Sequence, residues 1–245
     1  MSKQESTALT LEAASKRKEE LRRGLERTRA SIAELSQAAG REQPQLLPVT
    51  KFHPAEDIAL LGELGITDVA ENREQEARAK AAQLPEIGFH MIGQVQTKKA
   101  NHVARWARSV HSLDSSKLAQ ALDRGVALAC ERGEREGGLN VFIQVSADAD
   151  TARGGVPVAG VGDLVAEVEK LKHLSLQGLM VVPPLGGDVS EVFEQTRALT
   201  DEMTEGVGRR LLLSAGMSAD MGAAIAAGTD IVRVGTGIMG PRPVV

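Results

Sequence analysis

The stretch Leu46-Leu-Pro-Val-Thr-Lys-Phe-His-Pro-Ala-Glu-Asp57 decides how the rest of the chain is read. Leu46 to Val49 form a short apolar run, the signature of a buried strand. Thr50 and Lys51 end it, and Pro54 opens a helix, because the N–H that proline lacks is one a helix start leaves unpaired anyway. A strand passing this directly into a helix is the first half of a βαβ unit, and the same succession recurs. Further apolar runs at 66–70, 89–93, 109–113, 139–145, 174–182, 210–214 and 230–234 bring the candidate strands to eight. Helical stretches at 55–64, 74–83, 115–130, 158–171, 190–205 and 219–227 lie between them, with Gly65, Gly133, Gly206 and Gly228 as stops.

Strands alternating with helices predict an α/β fold with a mostly parallel sheet. Eight such units over some 200 residues fit a single-domain (β/α)8 TIM barrel, whose usual size is about 250 residues. A doubly wound open sheet is the alternative, but no GxGxxG follows the first strand and no Walker loop occurs. Residues 1–245 are therefore expected to form one domain. Its segment 1–40 is a charged helix with Leu21, Leu25, Ile32 and Leu35 near one face, stopping at Gly40 and packing on the barrel.

Composition narrows the function classes. The chain has 245 residues, a formal net charge of −4, 2% aromatics and no tyrosine. It offers neither the basic face nor the aromatic platforms of a nucleic-acid binder. The single cysteine, Cys130, excludes an internal disulfide and any CxxC motif. No apolar run approaches the roughly 20 residues of a membrane helix, and the polar start is unlike a signal peptide, so a cytoplasmic protein is expected.

In a barrel the chemistry sits where strands end. Those positions hold Lys51, Glu71-Asn72-Arg73, His90, Gly93-Gln94, Ser112, Asp114, Gln144, Pro183-Pro184, Ser214-Ala215-Gly216 and Arg233 to Gly237. The last two loops, Ser-Ala-Gly-Met-Ser-Ala-Asp (214–220) and Arg-Val-Gly-Thr-Gly-Ile-Met-Gly (233–240), have the character of a phosphate site. They supply glycines for close backbone approach, the Thr236 hydroxyl and Ser218 as a helix N-cap, after strands seven and eight, where barrels often hold phosphate. The competing reading is that these glycines only make tight turns. Lys51 in a barrel mouth loses hydration, which favours the nucleophilic free amine and Schiff-base chemistry with carbonyls; the competing reading is a snorkelling surface lysine. Arg233 shares a strand face with Ile231 and Gly235, so it either pairs with a carboxylate such as Glu71 or Asp114 or faces a ligand.

His90 reads as a satisfied core histidine or a pocket lining. Asn72 reads as a helix N-cap in a capping box with Gln75, or as a ligand contact, the two being compatible. No histidine or carboxylate spacing suggests a metal. The basic stretch 97–108, with Trp106 in it, reads as the solvated face of a helix.

Taken in order, the segments PVTKFHP, AENREQE, FHMIGQVQTKK, SVHSLDS, VFIQVS, QGLMVVPP, LSAGMSADMGAAIAAG and VRVGTGIMG, spanning Pro48 to Gly240, are similar to the YggS/PROSC-type pyridoxal phosphate homeostasis proteins, which share the barrel of the alanine racemase N-terminal domain. The resemblance implies pyridoxal 5'-phosphate held covalently as an internal aldimine on Lys51. It implies phosphate contacts from Ser214, Gly235 and Thr236, and Arg233 facing the pyridine nitrogen. Asn72 and His90 would line the pocket, with Gly216 letting the backbone approach. Departures are Thr50 where the family more often has serine, IGQVQ for IGHLQ, QVS for QVN, and TARGG where a lysine is common, which leaves Arg153 without a role.

The implied function is a carrier and regulator of vitamin B6 and amino-acid balance without catalytic turnover. Its partners would be pyridoxal phosphate and possible recipient apoenzymes, with no nucleic acid or membrane, and its state a monomer or weak homodimer. A guanidinium at the ring nitrogen discourages protonation there and makes the ring a poorer electron sink. A racemase of this fold normally pairs its lysine with a tyrosine, which this chain lacks, and completes its site with a second domain. The rivals are a racemase-like enzyme using a base such as His90, and a Schiff-base aldolase using Lys51 with Glu71 as proton relay. Lys98, Lys99 and Lys117 read as a weak second cofactor site or as solvated charges.

Overall fold

The structure is a computed structural model describing residues 3–148, 154–184 and 186–242; Arg153 lies outside them. The barrel strands are β1 (Gln45–Pro48), β2 (Asp68–Glu71), β3 (Gly88–Met91), β4 (Ala107–Leu113), β5 (Leu139–Ser146), β7 (Leu174–Val181), β8 (Leu212–Ser214) and β9 (Ile231–Val234). The two-residue β6 (Val156–Pro157) pairs with the end of β5. Every pairing is parallel, and the strands follow chain order from β2 round to β9. Closure comes from β1, which pairs with β9 on one side and bridges to β2 through Val49 and Ala70 on the other. That contact between the first two strands rules out the open-sheet alternative. The seventh and eighth barrel strands are β8 and β9.

Alternation along each strand sorts side chains inward and outward. Leu47, Val49, Ala70, Phe142, Met180 and Ile231 form the apolar filling of the barrel. Outside, α5 (Ser116–Glu131) and α6 (Val161–Val168) bury their apolar stripes, including Leu118, Leu122, Leu164 and Val165, against Val110, Val141, Ile143 and Leu179. Helix α4 (Ala100–Trp106) fills the position after β3. There the basic stretch is only partly the solvated face that was expected: Val103 and Ala104 are buried, and Trp106 packs between two apolar clusters.

The N-terminal helix α1 (Lys3–Ala39) lies across α2 (Ala55–Glu63), α8 (Met221–Ala226) and α9 (Thr236–Met239), burying Leu21, Leu25 and Ile32. Gly24 permits the approach, since a Cβ there would stand 2.6 Å from the Ile238 carbonyl oxygen. Arg17 fastens the crossing, donating to Asp57 at 2.7 Å and to the Met239 carbonyl at 2.9 Å.

Three local expectations are corrected. Gly206 lies within α7 (Val189–Val207), and the stop is Gly208, at φ 70°, where the left-handed C-cap conformation needs glycine. Ser218 does not cap α8, which starts at Met221; Asp220 accepts the Met217 N–H instead. Asn72 and Gln75 form no capping box, because α3 (Glu74–Gln83) begins after Arg73 with no side-chain cap. Asn72 is left to face the barrel mouth.

Candidate functional site

A cavity of about 700 Å³ opens at the C-terminal ends of the strands. Lys51, just beyond β1, and Asn72, after β2, line it together with Arg233, Gly235 and Thr236 at the end of β9. The β8–α8 loop contributes Met217, Ser218 and Ala219, and Val49, Ile92 and Met180 give it an apolar base. Five of the sequence-predicted residues therefore meet in one place because each occupies a strand end.

The Lys51 amine makes no hydrogen bond or ion pair with any described residue; it stands over the Phe52 ring, 6.0 Å from its centre. Phe52 itself is at φ 71°, the sole non-glycine with a positive φ among the described residues. That conformation costs an L-residue about 1–2 kcal/mol. Its N–H donates to Glu76 Oε1 at 2.8 Å, so the strain is held by a specific bond.

Arg233 is 3% exposed. Its Nη1 donates to Ser214 Oγ at 2.8 Å and its Nη2 to the Val181 carbonyl at 2.9 Å. Burial pulls its pKa down to about 10, against the opposing field of Asp220. Neither Glu71 nor Asp114, the carboxylates of one alternative, pairs with it, and its described partners are two neutral acceptors. A buried cation whose described partners are all neutral favours a lone pair or an anion from whatever occupies the cavity.

The remaining sequence-predicted residues do not reach the cavity lining. Ser214 is fully buried, its hydroxyl lying between Arg233 and His111 Nδ1, the latter at 3.0 Å. Gly216, at φ 94°, would set a Cβ 2.6 Å from that of Ala224, and its carbonyl accepts the Arg233 N–H at 2.9 Å. Both brace Arg233 from behind. His90 lies one layer down inside the barrel, with Nδ1 at 2.6 Å from Ser109 Oγ and Nε2 at 2.9 Å from Asp68 Oδ1. The reason is periodicity: Ile92, two residues further on the same face, takes the cavity position. Glu71, the candidate relay, is buried outside the lining and bonded to Thr50 Oγ1 and Lys80 Nζ; burial raises its pKa.

Gln94 and Gln144, noted at strand ends but given no ligand role, and Ser218, expected as a helix N-cap in the phosphate loop, are also in the lining. The N–H groups of Ser218, Ala219 and Thr236 find no acceptor among the described residues, and three such donors around one cavity can hold an anion. Lys98 and Lys117 are exposed and Lys99 pairs with Glu74 at 3.4 Å; none lines the cavity. No cluster of potential metal ligands occurs among the described residues.

A closed parallel barrel with a partnerless lysine after its first strand and anion donors after its last two defines a recognisable class. The chain belongs to the family of the alanine racemase N-terminal domain, whose sequence model matches residues 24–243. Within it, the chain is 56% identical over 200 residues to the pyridoxal phosphate homeostasis protein of Corynebacterium glutamicum, covering 81% of this chain and 90% of that one. PipY of Synechococcus elongatus, solved with pyridoxal phosphate bound, is 32% identical with a TM-score of 0.77, covering 90% of this chain and all of that one. An alanine racemase from Clostridium difficile shares the fold at 15% identity and a TM-score of 0.66, with 59% of its length covered.

Proposed function

We propose that this chain binds pyridoxal 5'-phosphate in the cavity at the barrel mouth, covalently through Lys51, and serves vitamin B6 and amino-acid homeostasis without catalytic turnover. The observation that carries the reading is an amine, Lys51, with no hydrogen-bonding or ionic partner among the described residues, sharing one cavity with a buried guanidinium, Arg233, that has no carboxylate partner among them. When bound, the cofactor supplies an aldehyde that condenses with a primary amine, and an electron-withdrawing pyridine ring. Lys51 provides that amine. The Ser218, Ala219 and Thr236 amides, beside Gly235, hold the phosphate, and Asn72 lines the approach.

Arg233 is assigned to the ring nitrogen, where its fixed positive charge opposes protonation and weakens the ring as an electron sink. Carriage rather than turnover follows from this, from the absence of tyrosine in the sequence, and from His90 and Glu71 lying outside the cavity lining. The names of its relatives agree. We place the protein in the cytoplasm, as a monomer or weak homodimer built on the whole 1–245 segment, with pyridoxal phosphate-dependent apoenzymes as recipients. No described helix is long and apolar enough to cross a membrane.

The deciding experiment is the visible spectrum of purified protein before and after borohydride, followed by peptide mass mapping. A band lost on reduction, with added mass on the Lys51 peptide, is expected. Colourless protein that takes up no added pyridoxal phosphate overturns the reading, and turnover of an amino acid overturns its non-catalytic part.

A further inference from the structure

The two peptide groups that flank Lys51 are held by the same buried cluster. On one side the Thr50 carbonyl accepts from Lys80 Nζ at 3.2 Å. On the other, the Phe52 N–H donates to Glu76 Oε1 at 2.8 Å. Lys80 ties these together, donating to Glu76 Oε1 and to Glu71 Oε1, each at 2.7 Å. Glu71 Oε1 takes the Thr50 hydroxyl as well, at 2.6 Å. The three acceptors use all three N–H bonds of the ammonium.

This is a costly arrangement. Lys80 is 6% exposed and Glu71 fully buried, and Glu71 Oε2 has no hydrogen-bond partner among the described residues. Apolar side chains of the same volume often stabilise such a position as well or better. The cluster closes on the one non-glycine residue among those described with a left-handed backbone, Phe52, immediately after Lys51. Strain of that kind persists only where its surroundings over-determine it. Both Lys80 and Glu76 stand on α3, so the second βα unit braces the end of the first strand.

We propose that Lys80, acting through Glu76 and Glu71, is a positioning residue that locks the Thr50–Lys51–Phe52 turn so that the Lys51 amine is presented to the cavity. The proposal rests on the reading that Lys51 is the attachment point of the cofactor. Lys80 touches neither the cavity nor its contents; its effect is on where Lys51 points and how often it points there. A left-handed Phe52 is accessible without the latch only at a conformational cost, and glycine removes that cost.

The test measures covalent capture of added pyridoxal phosphate by stopped-flow absorbance, separating the limiting rate constant from the half-saturating concentration, with thermal unfolding in parallel. Lys80→Met is expected to lower the rate constant about tenfold or more, as a small misplacement of a reacting group does. Its half-saturation changes little, because the amide donors after β8 and β9 are untouched. Adding Phe52→Gly to Lys80→Met should restore several-fold of the lost rate. Glu76→Ala, at a partly exposed side chain, removes the Phe52 acceptor and should slow capture in the same way, which keeps the question answerable if Lys80→Met does not fold. Folded variants that capture at the wild-type rate overturn the proposal, as does a slowing that Phe52→Gly leaves unchanged. Wild-type protein that captures nothing overturns the cofactor reading itself, a different pattern from equal rates in every variant.

Discussion

The Arg233 guanidinium is held by the Ser214 hydroxyl at 2.8 Å rather than by a carboxylate. Arginine only donates, so Ser214 Oγ must accept from it and has one proton left to give. His111 Nδ1 lies 3.0 Å from the same oxygen, so the hydroxyl links the guanidinium to the imidazole ring. Burial pushes the His111 pKa well below the ordinary histidine range, and the neighbouring charges of His90 and Arg233 push the same way. A phosphate contact expected of Ser214 from the sequence thus becomes, in the fold, a support for the cation behind the cavity.

Replacing Ser214 with alanine should weaken pyridoxal phosphate retention. One hydrogen bond to a charged group contributes about 1.5–3 kcal/mol, so the affinity loss is expected to be about tenfold or somewhat more. Equilibrium dialysis with the non-covalent Lys51→Ala background isolates the effect from covalent capture. Unchanged affinity would show that Arg233 is held in place without the serine.

Lys51→Ala should abolish borohydride-trapped adduct while leaving urea stability within about 1 kcal/mol of wild type, as surface-proximal substitutions generally do. The half-buried side chain makes no hydrogen bond to a described residue whose loss would matter. Full-yield adduct on another peptide would move the site.

Stability should fall on mild acidification. His111 titrates well below its ordinary value in the fold, so below about pH 6.5 the unfolded chain binds the extra proton and the folded chain does not. The neutral ring's contribution is complete above the unfolded pKa and is lost as pH drops beneath it, by up to about 1.4 kcal/mol per unit. His53, displaced the same way by burial, adds to the slope. Glu71, raised by burial, works in the opposite direction. Urea midpoints of wild type and His111→Gln between pH 7.5 and 5 separate these: the variant should show the flatter curve, and parallel curves would remove His111 from the account.

Gly24→Ala tests how tightly α1 is seated. The added Cβ meets the Ile238 backbone at 2.6 Å, and forced overpacking costs about 1–3 kcal/mol. Chemical denaturation should register that loss. An unchanged midpoint would mean that α1 lifts from α9 without cost.

Much of this molecule was legible in order. Eight apolar runs separated by helical stretches became eight parallel strands because each run is too short for anything but a buried strand, and period-2 and period-3.6 patterns follow from local geometry. Lys51, Asn72, Arg233, Gly235 and Thr236 line one cavity because a barrel gathers its strand ends at one mouth. His90 and Ser214 lie outside that lining. Strand-end position says which end of the barrel a residue is near, but the layer it occupies depends on how far its strand runs past it.

The Lys80 cluster had no sequence signal. Lys80 and Glu76 read as ordinary charges on a helix and Glu71 as a candidate relay or arginine partner, and only the packing of α3 against the end of β1 makes the three a brace for Lys51. The sequence by itself determined the order of strands and helices, the lysine after the first strand and the glycine-bearing loops after the last two. Tertiary structure decided which polar groups lost water and found each other: the neutral acceptors around Arg233, and the buried ammonium that, directly and through Glu76, holds the two peptides flanking Lys51. Local propensity acts over a few residues, whereas desolvation and hydrogen-bond pairing are settled only when distant strands close the barrel.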